Sequence, residues 1–107
     1  MMKAAAVLLA AGLALPGFAA QGDAAAGQRK AQEVCANCHG ADGNSSSPDF
    51  PRLAGQSADY IATALAHYKN GKRNNPIMRG FVSGLSEHEM LDIGAWYASQ
   101  KGLEMKY

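Results

Sequence analysis

Cys35-Ala36-Asn37-Cys38-His39 decides the reading of this chain. The five residues spell C-x-x-C-H, a pattern that marks attachment of a c-type haem. Two thiols add across the two vinyl groups of a porphyrin. The histidine beside the second thiol then becomes an axial ligand of the iron. Two intervening residues let one helical turn present both sulfurs to one edge of the ring. On this reading the redox chemistry belongs to the cofactor, and the polypeptide binds and tunes it.

Other uses of the two cysteines fit less well. A disulfide between Cys35 and Cys38 would close a tiny loop and remove little chain entropy. A thioredoxin-like C-x-x-C should follow a strand, and no strand pattern precedes Cys35. Zinc would need further ligands at motif spacing, and only His67 and His88 remain, each alone on an expected helix.

Upstream of the motif the chain opens with Met1-Met2-Lys3, an apolar run from Ala4 to Leu15, and Pro16-Gly17. This is the pattern of a secretory signal, with cleavage after Ala19 favoured by the small residues Gly17 and Ala19. The apolar run is too short to span a bilayer, which takes about 20 residues. The expectation is a cleaved signal peptide at 1–19, export to the periplasm, and no membrane-spanning segment afterwards. The full chain has 107 residues and a formal charge of +1. Without Lys3, nine basic side chains face nine acidic ones, a balance that argues against a nucleic-acid partner. A domain of this size has a marginal core, so the form without haem is expected to be poorly folded.

Outward from the motif, three helices are expected. The first covers about Ala24 to Val34, capped by Asp23. The second covers about Ala58 to Asn70, capped by Ser57 and ended by Gly71. The third starts at Ser86, where Ser86 and Glu89 form a capping box and Leu85 and Met90 a hydrophobic staple. It carries Ile93, Trp96 and Tyr97 on its apolar side, with Gly102 as terminator. His67 reads as a rim residue. Residues 40–56 read as loop, dense in turn formers. With one motif and no internal repeat, one haem is expected.

The sixth iron ligand separates a carrier from a catalyst. Of five methionines, Met1 and Met2 leave with the signal, Met90 belongs to the staple, and Met105 is near the chain end. Met78 remains, in the stretch Asn74-Asn75-Pro76-Ile77-Met78-Arg79-Gly80. This reads as an irregular loop stiffened by Pro76 and released by Gly80. A thioether there would favour ferrous iron; the plainer role is a gap-filling side chain.

These residues together resemble class I cytochrome c. Val34–Gly43, Pro51–Gln56, Asn75–Met78 and Leu85-Ser86 are similar, in order, to one domain of the two-haem cytochrome c-four group. A single such domain is similar to the small bacterial cytochromes c-553. The resemblance implies an all-α class I fold, with three main helices and loops around one covalently bound haem, over residues 20–107. It implies covalent attachment at Cys35 and Cys38, and His39 and Met78 as axial ligands. Pro51 would offer its carbonyl to the Nδ1–H of His39. Gly27 would be a helix-crossing glycine with Trp96 packed on it. Leu53, Ile61 and Leu65 would wall the haem, with Gln56, Tyr60 and Arg52 as candidates for its propionates.

The function expected is a one-electron carrier, not an enzyme, shuttling between periplasmic or membrane-bound redox proteins as a monomer. With a single haem there is no transfer between haems. The alternative is a haem enzyme or gas sensor with an exchangeable sixth ligand, or a subunit of a larger complex. Lys69, Lys72, Arg73 and Arg79 could steer an acidic partner, or form a solvated loop balanced by Glu87, Glu89 and Asp92.

Overall fold

The computed structural model describes residues 21–103; the expected signal peptide at 1–19 and Met105 lie outside them. Five helices follow one another among the described residues: α1 (Ala24–Val34), α2 (Ala36–His39), α3 (Ala58–Asn70), α4 (Pro76–Val82) and α5 (Glu87–Ala98). No strand occurs among them, and no helix is long and apolar enough to cross a membrane.

The caps explain the three longer helices. Asp23 accepts from the N–H groups of Ala25 and Ala26 and starts α1. Ser57 accepts from Tyr60 N–H and starts α3, which Gly71 ends at φ 89°. Both halves of the Ser86–Glu89 capping box are made at the start of α5. That helix stops at Ala98 with Ser99 as its cap, four positions before the expected terminator Gly102.

Two short helices complete the set. One is the helical turn expected at the C-x-x-C-H motif. The other, α4, was not expected and replaces the loop around Met78. Asn75 caps it and Pro76 occupies its first turn, where a missing N–H costs nothing and the ring pre-sets φ. Gly80 lies inside this helix rather than at an exit from it.

Helix α1 packs on α5, α3 on α5, and α4 on α3. The crossing of α1 and α5 depends on Gly27. A Cβ there would run into the backbone carbonyl of Asp92. The glycine therefore lets the two backbones meet directly, with Asp92 and Ile93 nearest to it. Trp96 is half-buried and packs at the edge of the core formed by Ala31, Ile61, Leu65, Val82, Leu85, Met90, Ile93 and Tyr97. Leu85 and Met90 are both buried in this core, as a hydrophobic staple requires.

Asp92 is a second correction. It is no solvated counter-charge but is buried, accepting from Asp23 N–H at 2.8 Å and meeting His88 Nδ1 at 3.1 Å. A buried carboxylate needs such partners, and the bond from Asp23 pins the start of α1 to the middle of α5.

Candidate haem site

Cys35 closes α1 and opens α2. Its N–H donates to Ala31 O at 2.8 Å, and its own carbonyl accepts from the N–H groups of Cys38 and His39 at 3.2 and 3.0 Å. The chain therefore makes one tight turn between the cysteines, which lie three positions apart on one side of it. Both are free thiols. Burial raises the pKa of Cys35 above the usual thiol range.

Gly40 ends the turn at φ 92°, and the loop then folds back. Gly43 O accepts from the N–H groups of Leu53 and Ala54 at 2.8 and 3.2 Å, closing the intervening residues into a lobe. This closure brings the carbonyl of Pro51 to 2.8 Å from His39 Nδ1. A carbonyl can only accept, so Nδ1 carries the proton and Nε2 keeps its lone pair. The imidazole is buried, with the Phe50 ring edge-on at 6.3 Å.

Met78 comes from α4. Asn75 Oδ1 accepts from the N–H of Ile77 at 3.0 Å and of Met78 at 3.1 Å. The methionine backbone is thus fixed by the helix cap. The signal for this was in the sequence: Asn followed by Pro is a cap followed by a favoured first helical residue.

These elements enclose a cavity of about 400 Å³, within the range of ligand pockets. Cys35, Cys38, His39, Pro51, Leu53, Gln56, Tyr60 and Met78 all line it, with Ile61, Leu65 and Arg52. Every residue expected at the site is therefore brought together. The donor set is two thiols, an imidazole with its tautomer fixed and a thioether, among mainly apolar walls. It fits a covalently held porphyrin.

Several lining residues escaped the sequence reading. Arg73, counted there only as a surface charge, donates to Tyr60 Oη at 3.2 Å and stacks over the Tyr68 ring at 4.8 Å. It braces the mouth of the cavity. Lys69 donates to the carbonyl of Leu85. Of the basic cluster, Lys72 and Arg79 remain exposed and make no ion pair among the described residues. Glu89 pairs instead with Lys30 at 3.2 Å.

An all-α domain that folds a C-x-x-C-H turn and a capped methionine around one apolar cavity is a c-type cytochrome domain. The chain belongs to the class I cytochrome c family. A family profile described as cytochrome C oxidase, cbb3-type, subunit III matches residues 22–96. Cytochrome c4 of Pseudomonas aeruginosa is 52% identical over 90 residues, which cover 83% of this chain and 44% of that protein. Cytochrome c-554(548) of Halomonas halodenitrificans is 42% identical over 83 residues, covering 75% of this chain and 99% of that protein. Among solved structures, reduced recombinant cytochrome c4 from Pseudomonas stutzeri superposes with a TM-score of 0.71 at 43% identity, covering 77% of this chain and 47% of that one. The chain thus spans about half the length of the cytochrome c4 relatives it matches. The cofactor of the domain is one haem c, and Cys35-Ala36-Asn37-Cys38-His39 is its attachment sequence.

Proposed function

We propose that the chain is a periplasmic one-electron carrier, not an enzyme, working between redox proteins with its axial ligands retained in both oxidation states. When bound, the haem supplies a one-electron iron couple. Cys35 and Cys38 hold one edge of it as thioethers. His39 gives the Nε2 lone pair to the iron, and Pro51 accepts the Nδ1 proton, which fixes the ring and increases its donation. Met78 supplies a soft thioether donor that favours the reduced state. The apolar walls, with Leu53, Ile61 and Leu65 among them, limit water access to the metal. Tyr60, Gln56 and Arg52 are the groups for the propionates.

The observation that carries this reading is the 2.8 Å contact between His39 Nδ1 and Pro51 O, in a cavity lined also by both cysteines and Met78. A methionine held by its own helix cap favours a closed sixth site over an exchangeable one. Periplasmic residence rests on the signal-like segment 1–19, and the electron donor and acceptor are redox proteins of that compartment. The exposed Lys72 and Arg79 favour an acidic partner surface.

The test is the optical spectrum of purified wild type and Met78→Ala. Wild type should show a weak long-wavelength sulfur-to-iron band when ferric, and should not bind carbon monoxide when ferrous at neutral pH. Met78→Ala should lose the band, bind carbon monoxide and have a lower potential. An unchanged spectrum in the variant would remove Met78 as ligand. Ready binding of carbon monoxide by wild type would favour a gas-binding or catalytic role.

A further inference from the structure

The largest fully buried side chain among the described residues is Tyr97, at 0% exposure. Its hydroxyl is buried too, yet makes no hydrogen bond among the described residues. A buried hydroxyl left unpaired is costly, so this position calls for an acceptor.

The surroundings narrow which acceptor that is. The Tyr97 ring fits against Gly43, where a Cβ would come within 2.6 Å of Cδ1 and 2.9 Å of Cε1. Its backbone carbonyl accepts from Gly55 N–H at 2.9 Å. Ring and backbone are therefore held, and the hydroxyl has one place to be. Cys35 packs against the core to which Tyr97 belongs, and both residues line the haem cavity. Burial and the adjacent Cys35 hold the phenol proton on well above the usual range, which leaves the group a donor.

We propose that Tyr97 is a positioning residue of the attachment site: once Cys35 is joined to the haem, the unpaired hydroxyl donates to its sulfur, orienting the thioether and drawing electron density from it. Attachment itself is an addition. The thiol S–H bond breaks, an S–C bond forms at the vinyl group, and the hydrogen goes to the other vinyl carbon, with no electrons gained or lost overall. Tyr97 takes no proton in this step. Sulfur is a weak acceptor, so the effect on the finished protein is small and readable.

The inference rests on haem attachment at Cys35 and Cys38, and its test separates the two. Tyr97→Phe keeps the ring and removes only the donor. Covalent haem content, measured by pyridine haemochrome, should show the variant loaded. Its ferric–ferrous equilibrium should move two- to threefold toward ferric, roughly 20–30 mV at 59 mV per tenfold. The resonance Raman C–S stretch of wild type should shift in D₂O, and that of the variant should not. A loaded variant with unchanged potential and unchanged C–S response would overturn the proposal. If the variant fails to accumulate, the wild-type D₂O shift decides alone, and its absence overturns the proposal, with a buried water then serving the hydroxyl. Wild type without covalent haem would instead overturn the proposed function.

Discussion

Removing the side chain of Asn75 should loosen the sixth ligand without touching the iron. Asn75 Oδ1 accepts two N–H bonds, at 3.0 Å from Ile77 and 3.1 Å from Met78. It caps a helix of seven residues, too short to persist on its own propensity. Replacing an Asn cap by Ala costs about 1 kcal/mol, within a range of roughly 0.5–2. If that cost falls on the state in which Met78 is bound, the detached state becomes about fivefold more populated, at about 1.4 kcal/mol per tenfold. An external ligand that must displace Met78 should gain the same factor. The assay is titration of the ferric protein with imidazole, followed by loss of the sulfur-to-iron band. Asn75→Ala should bind imidazole about fivefold more tightly than wild type. Asn75→Asp, which keeps a capping oxygen, should bind it as wild type does. Equal imidazole affinity in Asn75→Ala and wild type, with thermal stability lowered, would refute the reasoning. The cap would then hold α4 without holding the ligand.

Two further outcomes follow from the packing and the caps. Gly27→Ala places a methyl against the carbonyl of Asp92; forcing α1 and α5 apart should cost about 3 kcal/mol, read by urea unfolding of the holoprotein. The pKa of Glu89 is held below the ordinary carboxylate range by Ser86 N–H and then by Lys30. Its unfolded-state pKa is therefore the higher one, so the stability it contributes is present above that value and is lost as pH falls through the lower, folded one. Glu89→Gln should accordingly flatten the acid limb of stability as pH falls below the ordinary glutamate pKa of about 4.3, measured by urea melts at stepped pH, while Gln still serves the capping box.

Much of this was legible because the decisive features are local. Asp23, Ser57 and Ser86 are caps, and caps are set by a few adjacent residues. The C-x-x-C-H turn is likewise read from five positions. Helix α4 was missed because seven residues carry little periodicity and Gly80 reads as a breaker, although Asn75-Pro76 announced the start. Other misses are matters of tertiary placement. Asp92 looks like any helix carboxylate until α1 closes over it. Gly27 was identified as a crossing point, but which atoms of α5 it meets first depends on the rotation of that helix, and the Asp92 carbonyl is the nearest. Arg73 reads as one charge among four, and only the fold sets it between Tyr60 and Tyr68.

The contact between Asp23 and Asp92 joins positions 69 apart, and it has a bearing on the order of assembly. Closing a chain segment of that length costs roughly 4 kcal/mol of entropy before any constant term. The contact is therefore non-local, and its closure entropy has to be met before the α1–α5 packing rewards the chain. A porphyrin tethered at Cys35 and grasped from α4 divides that span into shorter segments. A tethered cofactor would thus lower the closure entropy that the two outer helices face, a contribution to the fold separate from its redox chemistry.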